Sequence, residues 1–377
     1  MNRSELHKVR RVVVKVGSGV ISHPSGGLRD EVVRTLARDI AGVIQDGKEV
    51  ILISSGAVAE GKAVLGFSRL KNGISIPQQQ ACAAVGQARL IWYYERCFED
   101  FGQKVGQVLL TRDDLENRRR YLNARNTLFT LLSLGVLPVV NENDTVMVEE
   151  IKFGDNDNLS ALVTLMVEAD LLVVLSTVEG LFTCDPTTGA GEFIDEVESV
   201  DHCLFEQCDM SGVSALGRGG MRSKVEAIQK VVDSGIPAVI AKGGEEETLS
   251  RILAGERLGT FFRPRQVRLG GKKRWIAYTL QPAGRLVIDR GAVRALVDSG
   301  KSLLPSGILE VVGDFEMGDA VVCVDENGAE IARGLTNYTS DEVRRIKGHH
   351  SGEIREILGY THSQEVIHRD NLVLMVH

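Results

Sequence analysis

Apolar residues in this chain fall into short β-branched runs separated by amphipathic stretches, an alternation that predicts strands and helices in turn. The first run, Val12-Val13-Val14-Lys15-Val16, closes on Gly17-Ser18-Gly19. Helical spacing follows over residues 30–45 and stops at Asp46-Gly47, after which Glu49-Val50-Ile51-Leu52-Ile53 ends in Ser54-Ser55-Gly56. Strand, helix and strand in this order form a βαβ unit, the building block of parallel sheets. The pattern then predicts a long helix over 76–101 opened by Pro77, a strand over 105–110, a helix over 118–134 and a buried strand over 136–140. Strands over 169–176 and 238–241 bracket a helix over 225–233. Beyond residue 263 the spacing changes: 284–289, 291–296, 302–307 and 318–324 read as short strands and turns of a compact β-rich domain. The expectation is an open α/β sandwich over 1–262, a linker over 263–281, a β-rich domain over 282–360 and a tail over 361–377 packing on it.

Composition adds limits to this picture. A chain of 377 residues, 43% hydrophobic and 25% charged, can bury two cores. The first eleven residues are polar and no apolar run reaches the length of a membrane span, so the expected location is cytoplasmic. The six cysteines, Cys82, Cys97, Cys184, Cys203, Cys208 and Cys323, form no C-x-x-C pair and read as reduced thiols. Neither Cys203 and Cys208 beside His202 nor His349, His350, His362 and His368 has a matching second ligand pair, so no metal site is expected of them. From Arg263 onward 16 Lys/Arg face 15 Asp/Glu, which leaves 28 against 36 in the larger part. Bulk charge therefore does not favour nucleic acid, although residues 263–274 carry six basic side chains and no acid.

Candidate chemistry concentrates between residues 136 and 160. The buried strand runs into Asn141-Glu142-Asn143-Asp144, and a second polar cluster, Gly154-Asp155-Asn156-Asp157-Asn158, leads into a helical pattern. Ligands of open α/β sheets bind outside the carboxyl ends of strands, where the first cluster falls. Asp157 or Asn158 is a natural N-cap for the following helix, and 145–153 reads as a short hairpin lid. Lys15 lies inside an apolar run, an unusual place for an ammonium group unless it has a partner. Gly56 to Lys62 imitates a P-loop, but Ala63 stands where the metal-binding hydroxyl belongs, so that reading fails. Ser54, Ser55 and the helix start beside them suit an anion instead. Gly217-Arg218-Gly219-Gly220-Met221-Arg222-Ser223-Lys224 is a basic glycine loop opening a helix, which favours a polyphosphate.

These motifs together resemble the amino acid kinase family, and within it the members that phosphorylate glutamate. The Gly-Ala, Ser-Leu-Leu-Pro and Gly-His-His-Ser elements of the C-terminal part resemble the PUA domain. The resemblance implies an α/β/α sandwich of the amino acid kinase type, binding ATP with magnesium and L-glutamate along one sheet edge. It further implies the first step of proline synthesis, proline as feedback inhibitor, a homo-oligomer, and passage of the product to a downstream glutamyl phosphate reductase. Carried over residue by residue, it puts Lys15 and Lys224 on the ATP phosphates; Asp157 or Asp155 is read beside this as the carboxylate that holds both lysines in place. Ser55, Asp144 and Asn156 fall on glutamate, and Ser176, Thr177 and the loop Arg218-Gly219-Gly220-Met221-Arg222-Ser223 on ATP. Arg218 and Ser223 stand where the family commonly has Thr, and Thr177 where it often has Asp.

Two rival readings remain at the level of sequence. A sister kinase would act on N-acetylglutamate, aspartate or a nucleoside monophosphate; Asp144 facing the α-nitrogen favours a free ammonium over an acetylated amine. An RNA-binding module would use the basic stretch, with Trp275 and Tyr278 as the nearby aromatic candidates.

Overall fold

The computed structural model describes residues 1–24, 26–69, 74–146, 156–183, 191–200, 204–205, 220–265 and 270–375. They divide into two compact units, Met1–Arg268 and Leu269–His377.

The first unit is built on an eight-stranded sheet. Its strands are β1 (Arg11–Val16), β2 (Glu49–Ser54), β3 (Lys104–Leu110), β4 (Val136–Glu142) and β5 (Leu171–Ser176), followed by β8 (Glu196–Val197), β9 (Ala238–Lys242) and β10 (Thr260–Phe262); β6 (Leu181–Phe182) and β7 (Phe193–Ile194) pair separately. The order β3-β4-β2-β1-β5-β9-β10-β8 is parallel from β3 to β9, and β10 reverses against β9. Parallel strands need crossovers, and the helices Asp30–Gln45, Ile76–Glu99, Arg118–Ser133, Asn156–Met166 and Met221–Asp233 supply them.

β1 is central, hydrogen-bonded to β2 on one side and β5 on the other, so its side chains must leave by the two sheet faces. Val12, Val14 and Val16 enter the core shared with Val33, Leu36 and Ile40 of the Asp30–Gln45 helix. By the two-residue period of a strand, Val13 and Lys15 face the opposite side, where the Asn156–Met166 helix lies over the sheet. Lys15 is therefore buried and not an edge-strand charge.

The second unit carries a five-stranded sheet, β12-β11-β13-β14-β15, made of β11 (Gly284–Ile288), β12 (Ile308–Gly313), β13 (Ala320–Val324), β14 (Glu330–Leu335) and β15 (Leu372–Leu374). Of the stretches read as short strands and turns, one is a helix and one is a turn with a single bridge. Residues 291–296 fall within the helix Arg290–Val297, because the Asp289 side chain caps Ala292 N at 2.7 Å. Residues 302–307 give only a bridge from Leu303 to Ile367 and the 3-10 turn Pro305–Gly307, where proline supplies no strand donor. Three of the described basic side chains in residues 263–274 are paired or buried. Arg263 pairs with Glu196, Arg265 with Asp233 at 2.8 Å, and Arg274 and Trp275 are buried. Cys82, Cys97 and Cys323 are free thiols, and the other three cysteines lie outside the described residues. Among the described residues no helix is long and apolar enough to cross a membrane.

Candidate active site

The parallel strands end together, so Gly17 after β1, Ser55 after β2, Asn141 and Glu142 of β4, Ser176 of β5 and Lys242 of β9 share one sheet edge. A lysine held under a helix in mid-sheet cannot reach bulk water and needs an anion. Asp157, fully buried in the first turn of the Asn156–Met166 helix, supplies it. Lys15 Nζ donates to Asp157 Oδ1. Lys224, in the first turn of the Met221–Asp233 helix, donates to the other carboxylate oxygen at 3.0 Å, and Ser223 Oγ adds a third hydrogen bond at 3.2 Å. Burial pushes the Asp157 carboxyl upward, but the two ammonium groups and their hydrogen bonds outweigh it and hold the group below the ordinary carboxylate range. Two ammonium groups thus share one carboxylate among the described residues.

The expected N-cap role is thus corrected. Asp157 and Asn158 both lie inside the helix, and the Asp157 side chain is aimed at lysines from two other elements. The expected lid is corrected at its start, since Thr145 and Val146 belong to the 3-10 turn Asp144–Val146; residues 147–155 lie outside those described.

Next to the lysines is a chain of uncharged polar groups. Asn156 Nδ2 donates to Ser55 Oγ at 2.9 Å and to Asn141 Oδ1 at 3.0 Å, and Asn141 Nδ2 donates to Gln87 Oε1 at 2.7 Å. Ser55 reaches this position because Gly56, at φ +108°, turns the backbone into the helix Ala57–Val64. Ser54 is not available to an anion: it is buried and shares a hydrogen bond of 2.8 Å with the Tyr94 hydroxyl.

The sequence-predicted residues divide as follows. Lys15, Lys224, Asp157 and Ser223 meet directly, Ser55 and Asn156 meet each other, and Asp144 stands in the turn that continues β4. Ser176 is buried at the end of β5 and Thr177 is exposed just beyond it. Gly220 is the N-cap residue of the Met221–Asp233 helix, while Arg222 is exposed and pairs with Glu226 of its own helix at 2.9 Å. Asp155, Arg218 and Gly219 lie outside the described residues. Gln87 is absent from the sequence-based list. It sits in the long Ile76–Glu99 helix with no motif around it, and only the fold brings it to the strand ends.

A cationic cradle at the carboxyl edge of a parallel sheet suits phosphate. Asp157, lowered in pKa and already accepting three hydrogen bonds, is a poor general base, which suits an acceptor that arrives ionised. Fold and site together define a phosphotransferase acting on an acidic acceptor, and the comparisons agree with that class. Residues 10–242 match the amino acid kinase family, and residues 284–358 match the PUA domain. The chain belongs to the amino acid kinase family. It is 50% identical over 376 residues to the glutamate 5-kinases of Geobacter sp. (strain M21) and Citrifermentans bemidjiense, covering 100% of each, and 48% identical to that of Syntrophotalea carbinolica, covering 99% of this chain. Among solved structures, UMP kinase from Bacillus anthracis is 16% identical with a TM-score of 0.48, covering 68% of this chain and 96% of that one.

Proposed function

We propose that this chain transfers the γ-phosphoryl group of ATP to the γ-carboxylate of L-glutamate, giving L-glutamyl 5-phosphate as the first step of proline synthesis. The observation that carries the reading is the pair of lysines locked on one buried carboxylate at the sheet edge, beside the amide and hydroxyl cluster. Full-length similarity to glutamate 5-kinases supports the choice of acceptor.

A glutamate side chain has a reference pKa of about 4.3, so the nucleophile is ionised at neutral pH and no base is required. A γ-carboxylate oxygen forms a bond to the γ-phosphorus as the bond to the β,γ-bridging oxygen breaks, and ADP leaves with the electron pair. Charge spreads over the phosphoryl oxygens, which Lys15 and Lys224 stabilise from positions set by Asp157. Gly220, Met221, Arg222 and Ser223, with Ser176, Thr177, Arg218 and Gly219, are assigned to ATP, and Asp155 joins Asp157 in holding the lysines. Ser55, Asn156 and Asp144 hold glutamate, Asp144 facing its α-ammonium.

Magnesium fits this site as a companion of the nucleotide. Among the described residues no three His, Cys, Asp or Glu side chains gather to hold a metal, and two ammonium groups repel a free cation. When bound to ATP, magnesium withdraws charge from the phosphate oxygens.

Proline shares the α-carboxylate and charged nitrogen of glutamate and is assigned the role of feedback inhibitor. We assign catalysis to residues 1–262, with 263–281 as linker, 282–360 as the PUA domain and 361–377 as its tail. The same reading includes a cytoplasmic homo-oligomer that passes its labile acyl phosphate to the following reductase. The test is hydroxamate formation from Mg-ATP and hydroxylamine with glutamate, N-acetylglutamate or aspartate in separate reactions. Product with glutamate alone, diminished by proline, is expected; product with another acceptor and none with glutamate refutes the assignment.

A further inference from the structure

We propose that Gln87 is a positioning residue for the acceptor amino acid: through Asn141 it sets which end of the Asn156 carboxamide faces the substrate. The inference rests on glutamate being the acceptor.

The polarity of the chain of amides follows from one donor whose direction is not negotiable. Glu142 N is a backbone N–H and can only donate; it lies 2.9 Å from Asn141 Oδ1. Asn141 must therefore turn its Nδ2 to the other side, where Gln87 Oε1 accepts it at 2.7 Å. Asn141 Oδ1 also receives Asn156 at 3.0 Å, so Asn156 must offer its Nδ2 there, and the same group reaches Ser55 Oγ at 2.9 Å. Both donor hydrogens of Asn156 are then used. Its Oδ1 is left over, and at the far end of the chain so is Gln87 Nε2; both atoms are buried and have no partner among the described residues. A buried acceptor without a partner is costly unless a ligand supplies a donor. An exposed asparagine would turn either end toward a ligand, whereas this one is fixed to present oxygen, which favours an ammonium and disfavours a carboxylate.

Gln87 controls the outcome because it is the only described acceptor for Asn141 Nδ2. Without it that buried donor has no partner, and Asn141 gains by rotating away, which releases Asn156. The anchor is stiff. The residue before it, Gly86, touches the helix Ala57–Val64 so closely that a Cβ there would lie 1.8 Å from Ala57 O, and that helix begins just after Ser55.

The test compares wild type, Gln87→Met and Gln87→Glu. Met keeps the length and removes the acceptor. Glu keeps the length and an acceptor oxygen toward Asn141. The readout is the ratio of the Ki of glutarate, which lacks the amine, to the KM of glutamate. For Gln87→Met the ratio should fall about tenfold, the size of one hydrogen bond to a charged group, with the KM of ATP within about twofold of wild type. Gln87→Glu should return to within about threefold of the wild-type ratio. A purely structural role would weaken glutamate and glutarate alike and leave the ratio unchanged, which overturns the proposal. If Gln87→Met does not melt cooperatively, Gln87→Glu decides alone: a wild-type ratio supports the relay and a tenfold loss overturns it. A wild-type enzyme with no glutamate turnover would instead remove the underlying assignment of the acceptor.

Discussion

Replacing Asp157 with asparagine isolates the charge on which the cluster depends. The shape is conserved and one carboxylate oxygen becomes an amide. Asp157 is fully buried, and the side chains of Lys15 and Lys224 keep only 5% and 10% exposure, so neither ammonium finds water in exchange. Breaking a buried ion pair typically costs about 3–5 kcal/mol, and here a single carboxylate serves two cations, which places the expectation at the upper end. Against a usual total stability of about 5–15 kcal/mol, a clear drop in the urea midpoint should be visible. ATP should restore more stability to the variant than to the wild type, because its triphosphate supplies the anion that the two lysines have lost. The rate should still fall, by about 10²-fold in kcat, since ammonium groups displaced by about an ångström no longer meet the transferring phosphoryl group. The KM of ATP should hold or decrease. ADP release and urea melts with and without ATP measure all of these. A variant that keeps kcat within about threefold, or that ATP stabilises less than wild type, would refute the account. The acid limb offers a further check. Because the folded pKa of Asp157 lies below its unfolded value of about 3.9, its contribution is complete above that value and is lost as pH falls through the lower folded pKa. The stability gap between wild type and variant should be constant near neutrality and narrow only in strong acid.

Other outcomes follow from the same structure. Lys15→Met and Lys224→Met should each lower kcat by about 10²-fold or more while the KM of glutamate moves less than about threefold; the opposite split in steady-state kinetics would argue against the phosphate assignment. Gly86→Ala drives a Cβ to 1.8 Å from a backbone carbonyl and should destabilise by about 3 kcal/mol or more while raising the KM of glutamate, as thermal melts and kinetics can show. Asp39→Ala removes the carboxylate that accepts from Leu249 N at 2.6 Å and Ser250 N at 3.1 Å; about 1–2 kcal/mol of stability should go with activity per folded molecule unchanged. Burial pushes the Cys323 thiol up to about 12, so it should resist alkylation at pH 8 in the native state and react once the protein is unfolded.

Much of this protein was legible along the chain because its informative signals are local. β-Branched runs ending in glycine or serine predict strands and their carboxyl ends, and the helices Asp30–Gln45 and Arg118–Ser133 follow from spacing, the first with its stop at Asp46-Gly47. The misreadings share a cause. A capping Asp at 289 changed a short apolar stretch into a helix, and an Asp that looked like a cap became the counter-ion of two lysines. The sequence by itself determined which chemistry was present: a lysine in a strand, a basic glycine loop, and two clusters of acids and amides. Only the tertiary structure decided who meets whom. Asp157 reaches Lys15 across 142 positions of chain and Lys224 across 67, and Gln87 reaches Asn141 across 54. The side-chain order of β1 sends Lys15 to the face covered by the Asn156–Met166 helix, and the low polarity under that helix makes one shared carboxylate the stable answer for two buried cations.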